Sequence, residues 1–162
     1  MSFARAIAFV LAHEGEWSDH PNDRGARTRW GLSSAAHPDL DLDTLTREQA
    51  VEIYRREYWT PIQGERLPPD LGLVLLDHAV HAGVAAAVRT LQHNLGVRVD
   101  GCLGPQTLGA LAQRRRSSLP DLARACLHQR ARDLVHQGTT VSQRAFLLGW
   151  VRRLIDLALA IG

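Results

Sequence analysis

The sequence of 162 residues has no lysine, only two cysteines and no long apolar run. A membrane-spanning helix needs about 18 consecutive apolar residues, so we predict no stable membrane insertion. Cys102 and Cys126 are too few for a disulfide scaffold, and whether they are buried thiols, form one bridge or are unrelated stays open. Residues 6–12 are apolar, but His13 and Glu14 follow without a small-residue cleavage site. We therefore expect synthesis in the cytoplasm without a classical signal peptide.

Because lysine is absent, all 19 cationic side chains are arginine, and 17 carboxylates balance them to a net charge of +2. Codon bias can exchange lysine for arginine, but guanidinium groups also bind carboxylates and phosphates through paired hydrogen bonds. The arginine excess therefore indicates either codon bias or an anionic partner. A net charge this small does not indicate nucleic-acid binding, and we predict none. The content of hydrophobic residues, 45%, is that of an ordinary globular protein.

Apolar residues recur with helical spacing through most of the chain. In the first helix, Phe3, Ile7, Val10 and Leu11 share one face, and Gly15 is placed to end it. Residues 16–38 break this pattern and predict a loop or a short irregular β-hairpin. Further apolar stripes, each bounded by capping residues or glycines, predict an all-α fold. The additional helices cover about residues 46–60, 68–82, 84–95, 105–113, 118–138 and 141–161.

Glu14 is the last residue on the apolar stripe of the first helix. Burial removes hydration from its carboxylate, and the C-terminal end of a helix carries partial negative charge, so both disfavour the ionised form. A carboxyl group that stays protonated near neutral pH can act as a general acid. The alternative is a structural glutamate paired with His13 or an arginine.

The loop after the first helix supplies further polar groups. Asp19 and Asp23 offer a second carboxylate, and Thr28 offers a hydroxyl that can hold a water molecule. The alternative role for both aspartates is to cap turns. Trp17 and Trp30 flank the loop, where their rings either stack on sugars or pack in the core.

Motifs along the first half of the chain form a recognisable series. They are His13-Glu14-Gly15-Glu16-Trp17, Asn22-Asp23-Arg24-Gly25-Ala26-Arg27-Thr28, Ile53-Tyr54-Arg55-Arg56-Glu57-Tyr58-Trp59 and Asp77-His78-Ala79-Val80-His81-Ala82-Gly83. In this order they resemble the glycoside hydrolase family 108 N-acetylmuramidases, which include phage endolysins and proteins labelled secretion activators.

The second half resembles the peptidoglycan-binding module that usually follows in this family. The matching segments are Leu103-Gly104-Pro105-Gln106-Thr107-Leu108 and Phe146-Leu147-Leu148-Gly149-Trp150-Val151-Arg152-Arg153. The resemblance covers nearly the whole chain. It implies a lysozyme-like catalytic lobe over residues 1–86 and a small helical peptidoglycan-binding lobe over residues 87–162.

This resemblance implies a peptidoglycan hydrolase that cleaves the β-1,4 bond between N-acetylmuramic acid and N-acetylglucosamine, as a phage or prophage endolysin. Glu14 corresponds to the family's catalytic glutamate, and Asp23 and Thr28 correspond by analogy to the second carboxylate and threonine of phage-type lysozymes. The predicted substrate-binding residues are Trp17, Asp19, Arg27, Trp30, Asp77 and His81, with Arg24 and Arg29 as further arginines beside the loop. We expect a monomer that needs no cofactor and acts on glycan strands of the wall after release or export.

The chain departs from the family pattern at several positions. Glu16 replaces a glycine, Arg24 and Ala26 replace the proline and the second glycine of an Asp-Pro-Gly-Gly step, and His81 replaces an asparagine. A histidine makes the last contact pH-dependent. The changes at Glu16 and His81 favour an alternative function, a catalytically inactive cell-wall-binding or secretion-associated adaptor.

A zinc amidase is a third hypothesis. Asp77 and His81 lie four residues apart and share a helical face, and His78 lies beside them. The sequence lacks a His-Glu-x-x-His motif, so we predict no metal. The simpler interpretation is that Asp77 and His81 organise the junction between helix and loop while His78 packs in the core.

Overall fold

The computed structural model describes residues 2–18, 27–138 and 144–162, with the side chains of residues 18, 137, 138 and 144–146 excepted. Asp19, Asp23 and Arg24 lie outside the described residues, as does the predicted start of the last helix at Val141. The α-helices are α1 (Ser2–Glu14), α2 (Arg47–Tyr54), α3 (Pro69–Ala82), α4 (Val84–Leu95), α5 (Pro105–Ala112), α6 (Leu119–Gly138) and α7 (Arg144–Ala160). The strands are β1 (Trp17–Ser18), β2 (Thr28–Arg29) and β3 (Leu32–Ser33). The predicted all-α, lysozyme-like fold class is confirmed.

The three short strands form one antiparallel sheet in the order β1-β2-β3 directly after α1. Trp17 pairs with Arg29, and Thr28 pairs with Ser33. The turn between β2 and β3 consists of Trp30 and Gly31, whose φ angles of 52° and 79° are both positive. Two positive φ angles are the requirement of the two-residue turn that matches the twist of paired strands. The predicted β-hairpin after the first helix is therefore present.

Helix α3 lies at the centre of the molecule. It contacts α1, α4 and α6, and an unbroken run from Leu71 to Ala79 is buried. A helix that is buried on all sides must be apolar all round unless its polar groups find internal partners. Asp77 and His78 are the polar members of this run, and their positions determine much of the site described below.

Local sequence signals account for several helix boundaries. Thr46 and Gln49 form a reciprocal capping box at the start of α2, as the T-x-x-Q pattern predicts. Gly15, Gly83 and Gly96 follow α1, α3 and α4 with φ angles of 73°, 89° and 71°. Glycine adopts such angles without the steric cost that a side chain would impose.

The helices of the second half pack against those of the first, because α6 contacts both α3 and α4, and α7 packs on α6. The division into lobes at residues 86 and 87 stays a prediction. Both cysteines are free; Cys102 is exposed, and burial raises the pKa of the Cys126 thiol to about 12. No helix within the described ranges is long and apolar enough to cross a membrane.

Candidate active site

Glu14 ends α1 at the edge of the hydrophobic core. The stripe that leads to it is buried as predicted at Ile7, Val10 and Leu11. The Glu14 side chain is 23% exposed, so its carboxylate remains accessible from one side. Gly15 then turns the chain out of the helix and into β1.

The turn between β2 and β3 packs directly on Glu14. A Cβ atom at Gly31 would lie 2.7 Å from Cγ of Glu14 and 2.3 Å from the hydroxyl oxygen of Tyr54. The Tyr54 hydroxyl donates a hydrogen bond of 3.0 Å to the carbonyl of Trp30. Burial and the nearby charge of Glu14 raise the pKa of Tyr54, so this hydroxyl keeps its proton at neutral pH. The tyrosine therefore fixes the turn, and the turn encloses one side of the glutamate.

An arginine from the last helix contacts Glu14 from another side. Nη1 of Arg153 lies 2.5 Å from Oε1 of Glu14, and its Nε donates to Oδ1 of Asp77 at 2.7 Å. The other Asp77 oxygen accepts a short hydrogen bond from Arg130. The carboxyl groups of Glu14 and Asp77 and the guanidiniums of Arg130 and Arg153, from α1, α3, α6 and α7, thus form one connected network.

The electrostatics of this network favour ionised Asp77. Its side chain is fully buried, and burial opposes ionisation. The guanidiniums of Arg130 and Arg153 outweigh that cost and hold the pKa of Asp77 below its ordinary value. Asp77 therefore has no surface to offer a glycan. The prediction of substrate contact is corrected to a role in holding two arginines.

Arg153 and Arg130 are absent from the set of residues predicted from sequence. A signal for Arg153 exists, because it lies three residues after Trp150 and four before Leu157, on the inward stripe of α7. Arginine on such a stripe needs an internal carboxylate. The sequence alone does not say which of the 17 carboxylates supplies it.

His81 contacts α7 through an edge-on ring contact with Trp150, with the ring centroids 5.3 Å apart. Burial, reinforced by the charges of Arg130 and Arg153, lowers the pKa of His81 to about 4. His81 is therefore neutral at pH 7 and joins α3 to α7. Its contact with substrate stays a prediction. His78 is buried in the core, as expected, and burial also lowers its pKa to about 4.

Trp17 presents an exposed ring on β1. Its side chain is 46% exposed, and the guanidinium carbons of Arg27 and Arg29 lie 5.2 and 4.8 Å from the ring centroid. Asp43 holds Arg27 at 2.6 Å, and the carbonyls of Leu42 and Asp43 accept from Arg29 at 2.9 and 2.7 Å. The two arginines are thus fixed beside an aromatic surface near Glu14.

The remaining predicted residues lie around the same sheet. Thr28 is in β2, paired with β1 on one side and β3 on the other. Trp30 is half-buried and packs against the core, which leaves less of its ring for stacking than Trp17 has. Glu16 stands where the family pattern has a glycine, and its Oε1 lies 3.6 Å from Nη2 of Arg29. The additional carboxylate therefore has a guanidinium beside it. Asp19 and Asp23 belong to residues that the structure does not describe.

Replacing Gly31 with alanine is expected to lower kcat by on the order of 10²-fold, because the new Cβ displaces Glu14 or Tyr54. The measurement is hydrolysis of purified peptidoglycan, together with thermal unfolding. Gly15→Ala is the matched control, since Gly15 also has a positive φ but no heavy atom within 4 Å of the added Cβ. Equal losses of activity in the two variants would contradict the close packing of the turn on Glu14.

Two family models together match most of the chain. Residues 7–83 match the model described as Glycosyl hydrolase 108, and residues 86–155 match the model described as Predicted Peptidoglycan domain. The first match includes Glu14 and the hairpin turn, and the second includes Arg130 and Arg153. The network around Glu14 therefore draws its residues from both matched regions.

A solved structure of Brucella abortus SagA is similar over nearly the full length. It is 30% identical in sequence, has a TM-score of 0.78, and the alignment covers 98% of this chain and 92% of that one. No curated protein matches the chain. A glycosyl hydrolase domain joined to a peptidoglycan domain makes this protein a peptidoglycan hydrolase of the muramidase type, with the cell wall as its place of action. The chain belongs to the glycosyl hydrolase 108 family.

Proposed function

We propose that the protein cleaves the β-1,4 bond between N-acetylmuramic acid and N-acetylglucosamine, with Glu14 as the general acid. The observation that carries this proposal is the placement of Glu14. Its carboxylate is partly exposed at the end of a buried helix and is enclosed by Arg153 and the Gly31 turn. A carboxyl group that is fixed yet accessible can deliver a proton along one direction, which general acid catalysis requires.

In the proposed reaction, protonated Glu14 gives its proton to the glycosidic oxygen as the bond from that oxygen to the muramyl anomeric carbon breaks. The leaving sugar departs with a new hydroxyl group, and positive charge develops on the anomeric carbon. A water molecule adds to this carbon and loses a proton, which completes hydrolysis. Glu14 itself becomes negatively charged as the first step proceeds, beside the guanidinium of Arg153.

We assign the second carboxylate to Asp23, with Asp19 as the less favoured candidate, and the positioning of water to Thr28. The order of the elements along the chain supports this assignment. Residues 19–26 stand in the sequence between β1 and β2, and both strands belong to the sheet that follows α1. Thr28 is at the start of β2, so the connection ends beside this sheet.

We further propose that Trp17 stacks on a sugar ring and that Arg27 faces the anionic groups of the substrate. An exposed aromatic ring with fixed guanidiniums beside it suits a sugar polymer that carries lactyl and peptide carboxylates. Residues 87–162 are proposed as the lobe that holds the wall, in agreement with the second family match. A monomeric state and a role as a phage or prophage endolysin are carried over from the resemblance.

The test is incubation with purified peptidoglycan, followed by separate assays for new reducing sugars and new free amino groups. We expect reducing sugars to increase with time while amino groups stay constant. An increase in amino groups alone would indicate an amidase. Retention of the protein on insoluble peptidoglycan with no new reducing ends would indicate a binding protein, and either result would overturn the proposal.

A further inference from the structure

We propose that Arg153 is a positioning residue for Glu14, and that the buried pair of Asp77 and Arg130 locks Arg153 in place. The second half of the chain then completes the active site as well as binding the wall. The inference rests on the proposed role of Glu14. The observation that supports it is the chain of contacts that joins Glu14 in α1 to α7, α3 and α6.

Arg153 can hold Glu14 because it is itself fixed by more than one contact. Its side chain is 12% exposed, and it reaches Asp77 through Nε at 2.7 Å and Glu14 through Nη1 at 2.5 Å. A guanidinium is planar and rigid, so anchoring one edge determines the direction of the other nitrogen. A lysine in this place would offer a single nitrogen and could not fix both carboxylates in the same way.

Asp77 sets the position of Arg153 in turn. Each of its oxygens accepts from a different arginine, and it lies in the central helix α3, where the surrounding residues are buried. Without this carboxylate, the guanidiniums of Arg130 and Arg153 would repel each other in a buried environment. Asp77 therefore defines where α6 and α7 can dock, and the docking places Arg153 beside Glu14.

The contact also has a consequence for the reaction. As Glu14 transfers its proton, negative charge develops on its oxygens, and Arg153 stabilises that charge without rearrangement. Among the described residues, the other titratable or charged groups that act on Glu14 are Tyr54 on α2, Tyr58 in the π-helical segment Arg55–Trp59 that continues α2, Arg130 on α6, and Asp77 through the shared arginine. Within the part of the chain that the structure describes, Arg153 is the cation in direct contact with the carboxylate.

Removing Arg153 therefore affects the chemical step more than the affinity for substrate. Arg153 contacts Glu14 and is not among the residues proposed to bind the glycan, so its loss should leave KM nearly unchanged. The kcat should fall, because the carboxyl group is no longer held in one position.

The experiment compares Arg153→Gln, Arg153→Lys and Arg152→Gln, with Arg152 as the control because it is an exposed neighbour on the same helix. Initial rates on solubilised peptidoglycan give kcat and KM, and circular dichroism with thermal unfolding monitors the fold. For Arg153→Gln we expect kcat to fall by on the order of 10²-fold with little change in KM. Arg153→Lys should fold and recover part of the rate, and Arg152→Gln should match the wild type.

A folded Arg153→Gln variant that keeps the wild-type kcat would overturn the inference, as would an Arg153→Lys variant that behaves like Arg152→Gln. Should Arg153→Gln not fold, Arg153→Lys decides the matter, since it retains charge but not the paired geometry. Glu14→Gln separates this inference from the proposed function. An active Glu14→Gln variant refutes the role of Glu14, whereas an inactive one together with normal Arg153 variants refutes the positioning alone.

Discussion

Replacing Glu14 with glutamine is expected to lower kcat on peptidoglycan by about 10²–10⁴-fold, because the amide cannot donate the proton that the leaving sugar requires. Glutamine has the same shape and can still accept a hydrogen bond from Arg153, which now contacts Oε1 of Glu14. We therefore expect the variant to fold and to bind insoluble peptidoglycan as the wild type does. The measurement is the rate of reducing-sugar release, with binding to the wall recorded in parallel.

Glu16→Gln is the matched control for this variant. Glu16 lies two residues along the chain, is exposed and lies near Arg29 at 3.6 Å, outside the network of Glu14. It should keep the rate within a few-fold of the wild type. If Glu14→Gln keeps the full rate, or if Glu16→Gln loses as much activity as Glu14→Gln, then Glu14 is not the general acid.

Replacing Asp77 with asparagine is expected to reduce the free energy of unfolding by about 3–5 kcal/mol, since it leaves a buried arginine without its charge partner. Asp77 is fully buried, and Arg130 is almost fully buried beside it. Two guanidiniums then share a buried site with a neutral amide. The measurement is urea unfolding at pH 7, and activity should be lost as well because Arg153 loses its anchor.

Asp70→Asn provides the comparison within the same helix. Asp70 pairs with Arg5 at 2.7 Å, but both side chains are well exposed, so the pair should contribute less than about 1 kcal/mol. The double variant Asp77→Asn with Arg130→Met should recover part of the lost stability, because the buried unpaired charge is removed. A loss for Asp77→Asn as small as that for Asp70→Asn would show that the buried network does not hold α3, α6 and α7 together.

Much of the fold follows from local sequence signals. The apolar stripe before Glu14, the capping box at Thr46 and the glycines that end α1, α3 and α4 each act within a few residues of the chain. Spacing along one helix therefore predicts them. The same local reasoning makes Glu14 a candidate, since it combines a helix end with an apolar face, but it leaves open a structural glutamate paired with an arginine, and only the family resemblance predicts the catalytic role.

Local signals place Arg153 on the inward stripe of α7, but they do not predict its partners in the network behind Glu14. Arg153 is 139 residues from Glu14 and 76 from Asp77, so only the packing of α7 on the central helices brings them together. Helical periodicity places Asp77 and His81 on one face, but it does not say that Asp77 meets two arginines while His81 meets a tryptophan. Tertiary packing decides both contacts.

The structure shows the partners of several of the arginines that the lysine-free chain uses as its cations. Arg153 contacts two carboxylates through different nitrogens, and Arg27 contacts both oxygens of Asp43. These contacts use the forked shape of the guanidinium, which lysine lacks. At these positions arginine serves carboxylates within the protein, so the excess of arginine does not by itself indicate an anionic partner.

Mass spectrometry of the reaction products identifies which bond the protein breaks. Purified peptidoglycan is digested, the fragments are reduced with borohydride, and the sugar at each reduced end is identified. Cleavage after N-acetylmuramic acid predicts that every new end carries reduced N-acetylmuramic acid, and that Glu14→Gln yields none. New ends that carry reduced N-acetylglucosamine, or released peptides without new sugar ends, would show that the protein does not cleave after N-acetylmuramic acid.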